Sequence, residues 1–286
     1  MKTIYKTFFR LILLFTIIIA PATLVEGKKR TENRSSIKIS ASDHYHAADA
    51  IKTILGYTVS ATPVYQKNAE LANLMKAIAF KAEWKRTINM AIGLYEKMDL
   101  EQVGLSRKAF EYAWMGYYKL RKRGLLRKTS VLSVCDFSQA SSEERMYVID
   151  VNKKKLLYRT FVAHGINSGR EYASSFSNKQ DSYKSSMGFY VTRQTYYGRN
   201  GLSLRIQGMD KGFNDLAFRR NIVIHGASYV SRRILNKYGV MGTTFGCPAI
   251  PQEMSSRIIP AVKDGSCFFI YYPSKRYLTE STILNG

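Results

Sequence analysis

Hydrophobic positions along the chain change their spacing near residue 130. Between residues 68 and 98, apolar side chains recur every three or four positions, which is the spacing of one face of an α-helix. A second stretch of this kind begins at Ser106, a residue type that favours helix N-caps, and stops at Gly124. The pattern predicts two helices whose apolar and aromatic faces are buried in a core.

Beyond residue 130 the apolar runs become short and are separated by Gly, Ser, Asn and Asp, which is typical of strands joined by turns. The predicted strands cover residues 131–136, 146–151, 156–163, 187–193, 202–206, 222–226 and 267–272. Two short helical patterns interrupt them, near 214–220 and near 254–263. We therefore expect an α+β protein in which a helical N-terminal part packs on a β-rich C-terminal domain.

The N-terminus carries the pattern of a secretory signal peptide. Lys2, Lys6 and Arg10 precede an apolar run from Leu11 to Ala20, which Pro21 ends. The run is shorter than the roughly 20 apolar residues that a membrane-spanning helix needs. We predict that the signal is removed, that no transmembrane segment is retained, and that the protein lies in the periplasm or cell envelope.

These patterns divide the chain into five predicted segments. They are a signal peptide at 1–27, a polar linker at 28–48, a helical region at 49–128, a catalytic domain at 129–275 and a C-terminal tail at 276–286. His44 and His46 in the linker have the spacing of a metal-binding pair, but no third ligand follows nearby. We predict no metal site and no cofactor.

The charge of the chain is strongly positive. The formal net charge is +23, and removing residues 1–27, with three basic residues and one acidic residue, leaves +21. Such a surface attracts polyanions, both nucleic acids and cell-wall polymers that carry carboxylates or phosphates. Because the signal peptide directs the protein out of the cytoplasm, we expect wall polymers and no nucleic acid as partners.

One of the three cysteines stands in a different setting from the others. Cys135 and Cys267 lie in apolar, strand-like runs, where a free cysteine packs as a small hydrophobic residue. Whether these two form a disulfide stays open. Cys247 lies in TTFGCPAIP, where Gly and Pro indicate a turn.

A histidine accompanies this turn cysteine. A cysteine nucleophile needs a base to remove its proton and backbone donors for the oxyanion that develops on the attacked carbonyl. His225 is placed at the end of an apolar strand, and Gly226 is expected to let the chain turn sharply there. Gly246, next to Cys247, permits close approach of backbone amides to a substrate oxygen. We predict Cys247 as the nucleophile and His225 as its base.

Residues 104–272 resemble the murein L,D-transpeptidase catalytic-domain family, a branch of the YkuD-like fold. The resemblance lies in CDFSQASSEERMYVID at 135–150, VAHGINSG at 162–169, FSNKQDSYKSSMGFYVT at 176–192, YYGRNGLSLRIQG at 196–208, FNDLAFRRNIVIHGASYV at 213–230 and FGCPAIP at 245–251. Within the general family motif, His225 matches the first histidine, Thr244 the Ser/Thr position, Gly246 the glycine and Cys247 the nucleophile.

The sequence departs from the general motif at three points. Phe245 replaces a second histidine, Pro248-Ala249 replace the residues after the cysteine, and the insert before Thr244 is slightly long. The resemblance implies that Phe245 and Pro248-Ala249 are features of this branch of the family and do not indicate an inactive protein. They leave open which residue binds the substrate carboxylate. Guanidinium groups bind carboxylates in bidentate fashion, and the candidates are Arg205, Arg219 and Arg220.

The resemblance implies a cysteine acyltransferase acting on peptidoglycan stem peptides. Cys247 would form a thioester with a tetrapeptide stem, and an amine of a second stem would take the acyl group to form a cross-link. His164 is a rival base, or a structural histidine in the same cleft, and other residues expected to line a substrate groove are Asn178, Tyr196 and Tyr197.

Two alternatives remain at this point. The same site could pass the acyl group to water or to another amine, as an L,D-carboxypeptidase, an endopeptidase or a protein-anchoring enzyme. The chain could also be a non-catalytic wall-binding protein whose charge supplies the affinity. The presence of Cys247, His225 and Thr244 argues against the second alternative.

Overall fold

A computed structural model describes the backbone of residues 64–286, with side chains from Ala69 onward. The predicted signal peptide (1–27), the linker (28–48) and the His44/His46 pair lie outside the described residues and stay predictions. Across residues 64–286, none of the helices combines the length and the apolar character needed to cross a membrane.

The described residues form a mixed helix and strand structure. The α-helices are α1 Val64–Lys97, α2 Arg107–Lys122, α3 Arg232–Tyr238, α4 Gln252–Val262, α5 Lys275–Glu280 and α6 Thr282–Asn285. The strands are β1 Val131–Asp136, β2 Met146–Asp150, β3 Lys155–Thr160, β4 Gly188–Gly198, β5 Gly201–Gly208, β6 Val223–Ala227, β7 Ala249–Pro251 and β8 Cys267–Tyr271. The predicted α+β class, with helices before a β-rich part, is confirmed.

All eight strands belong to one sheet in the order β3-β2-β1-β8-β4-β5-β6-β7. Two neighbouring pairs are parallel, β1 with β8 and β6 with β7, and the other pairs are antiparallel. The last strand in sequence therefore occupies the middle of the sheet. It joins the strands made from residues 131–160 to those made from residues 188–251.

The sheet is covered on both faces, and β8 shows this directly. Its five residues are all buried, and their side chains alternate between two cores, as the two-residue period of a strand requires. Cys267, Phe269 and Tyr271 belong to the core that contains α2, whereas Phe268 and Ile270 belong to the core that contains α4. This strand is therefore apolar throughout, and the sequence shows a continuous apolar run.

Helix α2 packs closely on the sheet because a glycine faces it. Ser106 caps the helix, since its hydroxyl accepts a hydrogen bond from the Ala109 amide at 3.1 Å, as the sequence predicts. A Cβ atom on Gly116 would lie 2.0 Å from the ring of Phe189, a β4 residue. Phe189 in turn stacks on Phe269, with ring centroids 4.1 Å apart. The helix and the aromatic layer of the sheet can meet at this distance only without a side chain at position 116.

The structure differs from the predicted elements in three places. Residues 214–220 form successive turns, because Asp210 and Asn214 bond to neighbouring backbone groups, including Phe213 N to Asp210 O at 3.1 Å. The helical prediction for this segment was wrong. Strand β7 and helix α3 were not predicted. The first has only three residues and ends on a proline, and the second buries none of its side chains.

Asp210 joins the C-terminal helices to the sheet. The carboxylate is fully buried and accepts hydrogen bonds from the Phe189 amide at 2.8 Å, the Tyr277 hydroxyl at 2.9 Å and the Ser281 hydroxyl at 2.5 Å. Burial raises the pKa of this carboxyl group, while these donors lower it. Residues 276–286, predicted as a tail, are thus mostly helical and contribute Tyr277 to the core.

We expect Asp210→Ala to lower the free energy of unfolding by about 2–4 kcal/mol, because it leaves several buried donors without an acceptor. Urea unfolding followed by circular dichroism measures the change. Glu280→Ala is the control, since it removes only an exposed ion pair with Arg276 and is expected to cost about 0.5 kcal/mol or less. Equal effects of the two substitutions would show that Asp210 does not anchor the helices.

Candidate active site

The turn that carries Cys247 is closed by Thr244. The Thr244 hydroxyl accepts a hydrogen bond from the Gly246 amide at 3.0 Å and donates one to the Cys247 carbonyl at 2.7 Å. The Thr244 amide donates to the His164 carbonyl at 2.9 Å, which attaches the turn to the neighbouring segment. Thr244 is buried, so its side chain shapes the turn that presents the cysteine.

Gly246 has a conformation that other residues rarely adopt. Its φ is +118°, and a Cβ atom there would lie 2.8 Å from the Lys184 carbonyl oxygen. The glycine thus allows the turn to pack against residues 182–186. Its amide is already bonded to Thr244, so the predicted contribution of this amide to an oxyanion hole is not available in the described conformation.

Cys247 lies directly before β7, beside the start of β6. Its sulfur accepts a hydrogen bond from the Val223 amide at 3.5 Å and lies 3.8 Å from the Asn221 carbonyl oxygen. The thiol is partly exposed, whereas Cys135 and Cys267 are fully buried. Burial raises the pKa of the Cys247 thiol, and the Val223 amide and the positive charge of Arg220 act in the opposite direction.

His225 is held in one tautomer by its own strand. Its Nδ1 lies 2.9 Å from the Gly226 carbonyl oxygen. A carbonyl oxygen can only accept, so Nδ1 carries the hydrogen and Nε2 is left as a proton acceptor. Burial lowers the pKa of His225 below its ordinary value of 6.5, so the ring is neutral at neutral pH. This is the form a general base requires.

The directions of the two pKa shifts favour an uncharged Cys247 and an uncharged His225 in the resting protein. A thiol with a raised pKa and an imidazole with a lowered pKa both remain neutral near pH 7. A preformed thiolate next to a protonated histidine would need the opposite directions.

The β6 and β7 strands bring the two residues into neighbouring positions. The strands are parallel, and His225 is paired with Ala249, two residues after Cys247. Gly226 lies inside β6, contrary to its predicted place in a sharp turn. Its missing side chain serves packing, because a Cβ atom would lie 2.9 Å from Gln252 Oε1 on α4.

His164 is bonded at both ring nitrogens. Its Nε2 lies 3.0 Å from the Gly169 carbonyl oxygen, and its Nδ1 lies 2.7 Å from Nη2 of Arg145. Both residues are buried, and desolvation lowers the pKa of His164 to about 4. Neither nitrogen is free to take a proton from a substrate or from Cys247, which supports a structural role.

Arg220 is committed to its own chain. Its Nη1 donates to the Ser177 carbonyl at 2.7 Å and the Ser186 hydroxyl at 2.6 Å, and its Nη2 donates to the Ser182 hydroxyl at 3.2 Å and the Lys184 carbonyl at 2.7 Å. All four terminal hydrogens are therefore used. The guanidinium holds the loop of residues 177–186 against the cysteine turn.

The other predicted binding residues have different surroundings. Asn178 is tied to the turn at 214–220, since its amide donates to Asp215 at 2.8 Å. Arg219 and Tyr197 are exposed, and Arg205 and Tyr196 are half-buried. Of these, Arg205 and Tyr196 are in contact, with the guanidinium carbon 4.7 Å from the ring centroid.

Two features of the site were not predicted. Arg145 is the largest fully buried side chain, and in the sequence it looks like one more surface charge. Phe245, noted only as a departure from the motif, is 73% exposed and packs on Tyr183 with centroids 4.9 Å apart. The signal available in the sequence was a large aromatic residue inside the turn, two positions before the cysteine.

The three cysteines do not pair in the structure. Cys135 and Cys267 are free thiols in the cores on opposite faces of the sheet, so their side chains point apart. Among the side chains described, no three His, Cys, Asp or Glu residues are grouped in a way that could hold a metal ion.

The family of the protein follows from a comparison with family models. The model of the L,D-transpeptidase catalytic domain matches residues 101–271, which include the cysteine turn, all eight strands and helices α2 to α4. The chain therefore belongs to the L,D-transpeptidase catalytic-domain family, and the resemblance noted in its sequence is confirmed. A comparison with curated proteins finds no match.

Solved structures with similarity to the chain include two L,D-transpeptidases and a protein that determines cell shape. An L,D-transpeptidase from Mycobacterium smegmatis is 12% identical with a TM-score of 0.31, and the alignment covers 50% of this chain and 59% of that one. One from Xylanimonas cellulosilytica is 12% identical, with a TM-score of 0.29 and coverage of 50% and 60%. The helical cell shape determining protein Pgp2 from Campylobacter jejuni is 15% identical, with a TM-score of 0.32 and coverage of 56% and 57%. The chain thus spans about three fifths of the length of these proteins.

Proposed function

We propose that this protein is a peptidoglycan L,D-transpeptidase that acts outside the cytoplasmic membrane through a cysteine thioester. One observation carries the proposal. Within the family domain, Cys247 has a partly exposed thiol and precedes β7, the strand that runs parallel to β6. His225 lies on β6, and its tautomer leaves Nε2 as a proton acceptor. Nucleophile, base and an orienting group for the base are the parts that nucleophilic acyl transfer requires.

In the first step, the Cys247 sulfur attacks the carbonyl carbon of the diaminopimelate residue in a tetrapeptide stem. The thiol proton passes to Nε2 of His225, and the carbonyl oxygen becomes an oxyanion. When the carbonyl re-forms, the bond to the terminal D-alanine breaks and His225 returns the proton to the leaving amine. The product is a thioester and free D-alanine.

In the second step, the side-chain amine of a second stem attacks the thioester carbon. His225 accepts a proton from the attacking amine and returns it to the sulfur as the carbon–sulfur bond breaks. The product is an amide cross-link between two stems. The Gly226 carbonyl stabilises the protonated ring in both steps, since it accepts from Nδ1 at 2.9 Å.

Mass spectrometry of the pure protein incubated with disaccharide tetrapeptide tests this function. We expect a covalent adduct on Cys247 with the mass of the stem less its terminal D-alanine, followed by cross-linked dimers. Release of tripeptide without dimers would show that water is the acceptor, which contradicts a transpeptidase. Absence of any adduct would overturn the cysteine mechanism.

A further inference from the structure

Arg205 is half-buried, and its guanidinium lies against two aromatic rings. Its carbon lies 4.7 Å from the ring centroid of Tyr196 and 5.6 Å from that of Phe218. Across the described side chains, no carboxylate lies within ion-pair distance of it, and no hydrogen-bond acceptor is in range. A positive charge that is fixed in place and has no anion near it is a candidate for binding one.

The strand register places Arg205 on the same face of the sheet as His225. Ser203 on β5 is directly paired with His225 on β6, and Arg205 is paired with Val223. Side chains of directly paired residues, and of residues two apart on one strand, share a face. Since the Val223 amide contacts the Cys247 sulfur at 3.5 Å, Arg205 lies one strand away from the nucleophile.

Tyr196 belongs to the same face by the same reasoning. It is paired with Ser203 across β4 and β5, so Tyr196, Ser203 and His225 form one row across three strands. Phe218 comes from the turn segment at 214–220 and also contacts the guanidinium. The Arg205 guanidinium therefore contacts a residue, Tyr196, of the row that contains the proposed base His225.

Among the described residues, none accepts a hydrogen bond from the Arg205 guanidinium. Aromatic rings attract a guanidinium through its flat faces, whereas a carboxylate binds along its N–H edge, in the plane. Stacking also removes side-chain freedom before a ligand arrives, which lowers the entropic cost of binding. By contrast, all four terminal hydrogens of Arg220 are used within the chain.

We propose that Arg205, which is in contact with Tyr196 and Phe218, binds a carboxylate of the donor stem peptide. It would thereby select stems in which this carboxylate is not amidated. The inference rests on the proposed function, because the stem is the ligand. Two carboxylates stay on the stem after D-alanine leaves, that of diaminopimelate and that of glutamate, and both have the required chemistry. A carboxamide at either place removes the charge while keeping the shape.

The test measures how fast each stem reacts with the unchanged protein and with each variant. Thioester formation is measured by mass spectrometry for the free tetrapeptide stem and for stems amidated at diaminopimelate or at glutamate. We expect amidation at one of the two positions to lower the second-order rate constant about 10- to 100-fold in the unchanged protein, since a charge-assisted pair is lost. In Arg205→Ala, the free stem should react as slowly as that amidated stem, and amidation should have no further effect.

Arg276→Ala is the matched control. This arginine also stacks on an aromatic ring, that of Phe213, but it is paired with Glu280 on α5. It should keep the full preference for the free carboxylate. The position whose amidation matters identifies the carboxylate that is bound.

Three results would overturn the inference while leaving the proposed function intact. The first is thioester formation that no amidation affects. The second is a preference for the free stem that Arg205→Ala retains. The third is loss of the preference in Arg219→Ala instead, which would move the site to Arg219. If the unchanged protein forms no thioester with any stem, the proposed function itself fails.

Discussion

Replacing Cys247 with serine should abolish thioester formation and cross-linking, with a loss of at least about 10³-fold in kcat/KM, because a serine hydroxyl is far less nucleophilic than a thiol at neutral pH. The fold should survive, since the side chain is partly exposed in a turn and adds little to the core. Mass spectrometry of the protein after incubation with stem peptide measures the adduct, and circular dichroism checks the fold.

Cys267→Ala is the informative control for this substitution. The Cys267 thiol is buried in the core that contains α2, away from the turn. Its replacement should cost stability, by about 1 kcal/mol, and leave the adduct in place. If the serine variant at position 247 still forms cross-links, another residue is the nucleophile and the mechanism proposed above is wrong.

Replacing His225 with alanine should lower turnover by about 10²–10⁴-fold, the usual contribution of a general base. The pH dependence gives the sharper test. Burial lowers the pKa of His225, so the unchanged protein should lose activity only as the pH falls through a value below 6.5 and the ring becomes charged. In His225→Ala this acid limb should disappear.

Alkylation of Cys247 by iodoacetamide provides a readout that needs no substrate. The rate near pH 7 should fall in His225→Ala, because the thiol has a raised pKa and no base nearby to take its proton. His164→Gln should retain the rate, since an amide can replace both hydrogen bonds of that buried ring. A slow reaction in His164→Gln together with a normal one in His225→Ala would reverse the two roles.

Strands with a clear alternating or apolar pattern were predictable, and those without one were not. β1, β2 and β8 agree with their predicted ranges to within one residue, because buried strands leave continuous apolar runs. β7 has three residues, follows Pro248 and ends on Pro251, so nothing in its sequence marks it as a strand. It forms because β6 offers it a parallel edge, which is a tertiary effect.

The helical pattern at 214–220 failed for a different reason. Apolar spacing there matches one turn of helix, but the Asn214 side chain donates to the Phe189 carbonyl at 3.0 Å and accepts from the Asp210 amide at 2.9 Å. Asparagine and aspartate side chains offer backbone groups alternative partners in this way. The outcome depends on a strand about 25 residues earlier, which local spacing does not describe.

Within the candidate site, residue types were predictable and their partners were not. Cys247 and His225 stand out in sequence by their flanking glycines, and the motif supports both. The three arginine candidates look equivalent in sequence. Only the folded chain separates two of them: Arg220 donates to four internal acceptors, whereas the Arg205 guanidinium contacts aromatic rings and makes no hydrogen bond with a described residue. Such distinctions depend on contacts across strands and loops.

The central place of β8 has a consequence for how the chain acquires its structure. Its parallel pairing joins Leu132 to Cys267, so the two halves of the sheet cannot unite until the residues of β8 have been synthesised. Contacts this distant in sequence form slowly, and until then β1 and β4 each present an apolar edge without a partner. Unpaired strand edges promote aggregation, so the interval before β8 is added is the stage of folding at which this topology is most exposed to misassembly.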